Sequence, residues 1–234
     1  RYLEPDQYKQ IAKLLHERAL LQRHNRETGD PDIAGAADQL GRALEELPRK
    51  TALSSLLGAE GAATAAYFRG FRRLFDPAWG FDDRNRRPPA DPVNVLLSFG
   101  YTLLAQAANG AVQTVGLDPF AGFLHEIADS RPALALDLME EYRCVVEGVV
   151  LWCCRGGQIT PADFTPGPPE RPVVLSESGQ KRFIRAYEQR MDQEFLHPIR
   201  NLRYPLRQCL VEQARQVGER VQNGTPGFTG MGFR

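Results

Sequence analysis

Leu56-Leu57-Gly58-Ala59-Glu60-Gly61-Ala62-Ala63-Thr64-Ala65-Ala66-Tyr67-Phe68 is a run of small residues with two glycines and one carboxylate. It reads as a helix, and helical spacing recurs along almost all of the chain. Glycine costs a helix interior about 1 kcal/mol relative to alanine. Gly58 and Gly61 beside Glu60 therefore point to close backbone approach around that acid. An unpaired carboxylate inside a fold is costly, so Glu60 is expected to have a cationic partner or a metal. Two later stretches, Phe120-Ala121-Gly122-Phe123-Leu124-His125 and Leu136-Asp137-Leu138-Met139-Glu140-Glu141-Tyr142-Arg143, carry further ligand chemistry. Glu, His and Glu on three helices can close a metal site, although spacing alone does not bring them together.

Upstream, Ile11, Leu14 and Leu15, then Ile33, Ala37, Leu40 and Leu44, step at three and four residues. They mark two amphipathic helices split at Thr28-Gly29-Asp30-Pro31. The Glu60 helix is expected from about Thr51 to Leu74, before a polar, Pro-rich excursion from Asp76 to Ala90. Asp91-Pro92 pairs an N-cap acid with proline at the first helical position. It opens an apolar, central helix to about Val115. Asp118-Pro119 repeats the signal for a short helix carrying His125. Pro132 opens one long helix to about Cys154, bearing Asp137 and Glu140. Gly156 to Leu175 holds five prolines and reads as an extended loop, with Val173-Val174-Leu175 as a hairpin strand. Ser176 caps a helix to about Leu196, a last helix runs from Ile199 to Gln222, and residues 223–234 form a tail expected to be mobile. The expected fold is all-α, an irregular multi-helix bundle forming a single catalytic domain over residues 1–234.

The 234 residues carry no net charge, yet 25 of the 29 basic residues are arginine. A GC-rich genome produces such a bias, and arginine's planar fork also suits phosphate. Arg69, Arg72, Arg73, Arg84, Arg86 and Arg87 form one cluster, and Lys181 to Arg207 a second. Cys144, Cys153, Cys154 and Cys209 have no zinc-type spacing, which fits a reduced, cytoplasmic setting. No apolar run approaches the roughly 20 residues of a membrane span, and no secretory signal is visible. The opening at Arg1 reads as mid-protein sequence, so a longer polypeptide is expected.

Asp137 and Glu140, three residues apart, share a helix face. Hard carboxylate oxygens suit Mg²⁺ or Mn²⁺, and an imidazole beside them shifts the preference toward Mn²⁺. Other readings stand beside this one. Glu141 is expected to be solvated, Asp137 serves either as an auxiliary acid or as partner to an arginine, and a lone histidine is commonly structural. Tyr67 and Tyr101 either line the site or, as the more usual role, pack in the core.

Four blocks in order resemble the motifs of the CRISPR adaptation integrase, the universal Cas-one family. They are Gly58-Ala59-Glu60-Gly61-Ala62-Ala63 with Tyr67-Phe68; Arg84 through Asn94 with Leu97-Ser98-Phe99-Gly100-Tyr101; Gly116-Leu117-Asp118-Pro119 through Gly122-Phe123-Leu124-His125; and Leu134 through Arg143. The resemblance implies an all-helical catalytic domain whose metal ligands are Glu60, His125 and Glu140, with Asp137 as auxiliary acid and Mg²⁺ or Mn²⁺ as cofactor. It implies insertion of foreign DNA fragments into a CRISPR array by 3′-hydroxyl attack on a repeat phosphodiester. It also implies a β-rich N-terminal domain lying outside this chain, a homodimer, and a small ferredoxin-like adaptation partner. Double-stranded DNA is the expected substrate, with Arg84, Arg86 and Arg87 the chosen backbone contacts and no membrane involved. A DNA endonuclease working by hydrolysis and a non-catalytic scaffold subunit remain the alternatives.

Overall fold

The computed structural model describes residues 5–50, 52–122, 132–224 and 228–231. Asp30 ends the first helix and starts the second: its carboxylate accepts from the backbone N–H groups of Asp32 and Ile33, and Pro31 supplies a preset first turn. Thus α1 (Pro5–Thr28) folds back on α2 (Pro31–Glu46), and both pack on α3 (Leu53–Arg72). Asp91 caps α4 (Pro92–Thr114) by accepting from the Asn94 N–H. This helix is long and apolar enough to cross a membrane by length and composition, contrary to the reading that no run approached that length. It lies at the centre of the bundle, against α5 (Ala133–Met139), α6 (Arg143–Arg155) and α8 (Leu206–Asn223). An aromatic group of Tyr67, Phe68, Phe71, Phe75 and Phe81, with ring centroids 5.0 to 6.1 Å apart, joins α3 to the excursion before α4.

The mostly helical expectation holds, with two local differences, in the helix after Pro132 and in the segment after Met191. The long helix after Pro132 is two helices: α5 stops at Met139, a 3₁₀ turn spans Glu140–Tyr142, and α6 begins at Arg143. The Pro-rich loop does contain a hairpin, β1 (Phe164–Pro166) antiparallel to β2 (Val173–Leu175), followed by α7 (Glu177–Met191) capped by Ser176. A second hairpin was not anticipated. β3 (Glu194–Leu196) pairs with β4 (Arg203–Pro205), so the expected helix from Ile199 begins only at Leu206. Phe195 and Tyr204 oppose one another in this hairpin, and such side chains favour a pleated, half-buried surface over a helix.

Close approach in α3 occurs at Gly70, not beside Glu60. A Cβ at Gly70 meets the Ala36 Cβ at 2.7 Å and Leu21 at 3.1 Å, whereas a Cβ at Gly58 or Gly61 has nothing within 4 Å. Those two glycines are exposed and leave the surface around Glu60 low.

Gly70→Ala is therefore expected to destabilise the fold by about 1–3 kcal/mol through overpacking. Gly61→Ala should stabilise it by about 0.5–1 kcal/mol, since a helical alanine loses less entropy on folding. Urea midpoints measure both, and a shift of the same sign in the two variants would contradict this packing of α3.

Candidate metal centre

Glu60 and Glu140 meet on one cation. Lys13 Nζ from α1 donates to Glu60 Oε1 and stands 3.6 Å from Glu140 Oε2. Glu140 Oε1 accepts from Arg143 Nη1 at 2.9 Å, so each oxygen of that carboxylate faces a different positive charge. Thr64, one turn beyond Glu60, donates its hydroxyl to Glu60 Oε1 at 2.9 Å and lies 3.3 Å from Lys13 Nζ. The Lys13 side chain is 5% exposed, that of Glu140 9% and that of Glu60 20%. Glu60 is the member that solvent reaches.

Behind these residues lies a second layer of buried charge. Glu147 on α6 accepts the Tyr67 hydroxyl at 2.8 Å and the Tyr101 hydroxyl at 2.7 Å. The Arg143 guanidinium lies 4.4 Å from the Tyr101 ring centroid, and that of Arg84 lies 5.5 Å from it. Burial, reinforced by Glu147, pushes both tyrosine pKa values well above their usual range, so the phenols stay protonated and act as donors. Burial opposes the Lys13 charge, but Glu140, Glu17 and Glu60 outweigh it and hold its pKa above the usual lysine value. Arg143 behaves alike: burial works against it, and Glu140 with Glu147 more than compensates. Glu17 on α1 is buried and its Oε2 has no hydrogen-bond partner among the described residues. Burial drives its pKa well up despite Lys13.

The break between α5 and α6 explains the acids that follow one another. Glu141, expected to be solvated, is fully buried on the opposite side of the turn from Glu140. It accepts from Gln213 Nε2 on α8 at 3.3 Å and from the Met231 N–H at 3.0 Å. Consecutive residues are separated by a wider angle in a 3₁₀ turn than in an α-helix. Glu140 can therefore face α1 while Glu141 faces α8. Asp137 is also buried, and a Cβ at Gly122 would come within 2.9 Å of its Oδ2, so the glycine permits that carboxylate's position. His125, with the short helix expected around it, lies outside the described residues.

The arginines of the excursion divide. Arg84 turns inward, donating to Asn94 Oδ1 at 2.7 Å and Ser98 Oγ at 3.2 Å, and burial pulls its pKa down to about 10. Arg86 and Arg87 are exposed. In the later cluster, Arg182 pairs with Asp163, Arg200 with Glu212 and Glu219, and Arg207 with Glu188 and Asp192. Lys13, Glu17, Arg143 and Glu147 were missed in the sequence reading. A signal existed for the first two: Lys13 and Glu17 interleave with Leu14 and Leu21 on a helix side that is otherwise apolar.

A profile of the family described as CRISPR associated protein Cas1 matches residues 10–189. The chain belongs to the Cas1 family. It is 42% identical over 210 residues to a CRISPR-associated endonuclease Cas1 of Thermus thermophilus, covering 88% of this chain and 62% of that protein. It is 39% identical over 227 residues to a Cas4 exonuclease/Cas1 endonuclease fusion of Geobacter sulfurreducens, covering 93% of this chain and 40% of the fusion. It therefore spans roughly two fifths to three fifths of these two relatives. Among solved structures, a Cas6-RT-Cas1–Cas2 complex superposes with a TM-score of 0.82 at 29% identity, over 94% of this chain and 24% of the matched one.

In this Cas1 chain the raised pKa of Glu17 gives a stability signature. A carboxyl with a raised folded pKa costs nothing when both states are protonated, and costs progressively more above the unfolded value of about 4.3. Glu17→Gln is therefore expected to raise the urea midpoint at pH 7 and to leave it unchanged near pH 4. A larger gain at pH 4 than at pH 7 would reverse the sign and refute the assignment.

Proposed function

We propose that this chain is the catalytic part of a DNA strand-transferase of CRISPR adaptation that uses Mg²⁺ or Mn²⁺. The observation that carries the reading is the convergence of Glu60 and Glu140, from separate elements, on one buried positive charge. Two hard-oxygen carboxylates that already share a cation form a donor set suited to a divalent ion. Within the described cluster the four carboxylates Glu17, Glu60, Glu140 and Glu147 outnumber the cations Lys13 and Arg143 by two. Even with Glu17 protonated, negative charge remains. Glu60, Glu140 and, through the family resemblance, His125 would hold the ion, with Asp137 as auxiliary acid. When bound, the ion would polarise a phosphodiester and favour the deprotonated form of an attacking hydroxyl.

The chain's own groups set the rest. Arg143 and Glu147 fix the back of the site, and Tyr67 and Tyr101 keep Glu147 oriented. Gly58, Gly61 and Ala62 are exposed around Glu60 and let a bulky duplex approach that carboxylate closely. Arg86 and Arg87 are free of ion pairs among the described residues and suit the DNA backbone, an attraction that salt weakens. The working assembly is a homodimer with a small ferredoxin-like adaptation partner, and the reaction joins a fragment's 3′-hydroxyl to a CRISPR repeat. All four cysteines are free thiols, in keeping with a cytoplasmic setting. Hydrolysis, the activity in the Thermus relative's name, needs only water in place of the hydroxyl.

The deciding experiment uses the full-length protein, its small partner, Mn²⁺ and a supercoiled repeat-bearing plasmid. Joined fragment–repeat product is expected, lost in Glu60→Gln, Glu140→Gln and His125→Ala with the far-UV spectrum retained. Cleavage without joining would favour the nuclease, and joining that survives Glu60→Gln would remove this site from the chemistry. Separately, Arg86→Ala with Arg87→Ala should weaken binding to all duplex sequences alike and lower the salt slope by about 2. An unchanged slope would place the backbone contacts elsewhere.

A further inference from the structure

Lys13 stands where the shared charge of the metal site belongs. Its ammonium is buried, donates to Glu60, lies 3.6 Å from Glu140, and has Thr64 Oγ1 at 3.3 Å. An ammonium and a divalent cation cannot both contact the same two carboxylates in a buried site, because like charges at that range repel strongly. One turn along α1, at the i+4 position, Glu17 holds a buried Oε2 with no hydrogen-bond partner among the described residues. Lys13 already interacts electrostatically with it. The lysine stem is flexible, and residues at i and i+4 are neighbours on a helix.

We infer that Lys13 is a displaceable internal cation of the Glu60–Glu140 site, and that Glu17 receives it when a divalent ion takes its place. This rests on the metal-binding reading above and adds to it a positioning pair that touches no substrate. In metal-free protein Lys13 keeps the two acids together and the site preformed. When the ion enters, the ammonium shifts from Glu60 to the orphan oxygen of Glu17, and a buried charge exchanges one partner for another. The pair therefore tunes metal affinity in opposite directions. Lys13 competes with the ion, and Glu17 relieves that competition.

The test measures Mn²⁺ binding to the full-length protein without DNA, by calorimetry and by loss of the free-Mn²⁺ electron paramagnetic resonance signal. Thermal unfolding in EDTA and in Mn²⁺ accompanies it. Lys13→Met is expected to bind Mn²⁺ at least about tenfold more tightly, since a competing like charge is gone. Its melting temperature should fall in EDTA and recover in Mn²⁺ more than that of the wild type. Glu17→Gln should bind Mn²⁺ more weakly, because the displaced ammonium has lost the carboxyl group that receives it. If Lys13→Met does not fold, the Glu17→Gln arm decides, and affinity equal to or above wild type refutes the exchange. Wild-type binding with no tightening in Lys13→Met overturns the role of Lys13 and leaves the metal site standing. Absence of Mn²⁺ binding in the wild type overturns both.

Discussion

A buried ammonium between two carboxylates is the constraint on which this bundle depends. Lys13 comes from α1, Glu60 from α3, Glu140 from the turn after α5, and Arg143 and Glu147 from α6. None of these charges is tolerable alone at its depth, because removing one partner of a buried pair costs about 3–5 kcal/mol. The helices must therefore arrive together. The apolar core around α4 supplies most of the driving force for collapse. The charge cluster restricts which face of α1 can meet α3 and α6, since a rotation of α1 that buried Lys13 or Glu17 against apolar residues would strand it.

The same constraint accounts for the interrupted helix. An unbroken helix from Pro132 to Cys154 would point Glu140 and Glu141 in directions closer together than their partners are. Glu140 is drawn toward Lys13 and Arg143, and Glu141 toward Gln213 and the Met231 N–H. Opposing attractions on adjacent carboxylates are met by tightening the turn. The segment around Met231 thereby becomes part of the site's support: Phe228 and Met231 are buried, and Thr229 bonds to Gln213 and Gln216 on α8.

Helix starts and one motif acid were legible because their causes are local. Asp30-Pro31, Asp91-Pro92 and Ser176 carry their capping chemistry in a few adjacent residues, and each opens a helix where expected. Glu60 was legible as a carboxylate needing a cation, and Lys13 is that cation. Its flanking glycines misled, because a sequence shows that a side chain is missing but not whether anything approaches the gap. Gly70 has a neighbour at 2.7 Å and Gly61 has none within 4 Å. The 3₁₀ turn and the second hairpin were illegible for a related reason. Both depend on partners distant in sequence, from α1 and α8 for Glu140 and Glu141, and across the strand for Phe195 and Tyr204.

Charge placement completes the argument. A chain with no net charge attracts a polyanion only where positive charge is left uncompensated. Surface ion pairs add little stability, yet each one erases a local field. Arg72 is neutralised by Asp82, Arg73 by Asp30, Arg182 by Asp163, Arg200 by Glu212 and Glu219, and Arg207 by Glu188 and Asp192. Pairing of Asp82 with Arg72 also removes an acid that would otherwise oppose the neighbouring loop. Arg86 and Arg87 are exposed and form no ion pair among the described residues, while Arg84 anchors the loop on α4 and reaches the Tyr101 ring. Arg143, the partner of Glu140, contacts that same ring. The loop, through Arg84, and Glu140, through Arg143, are thus joined at one tyrosine ring.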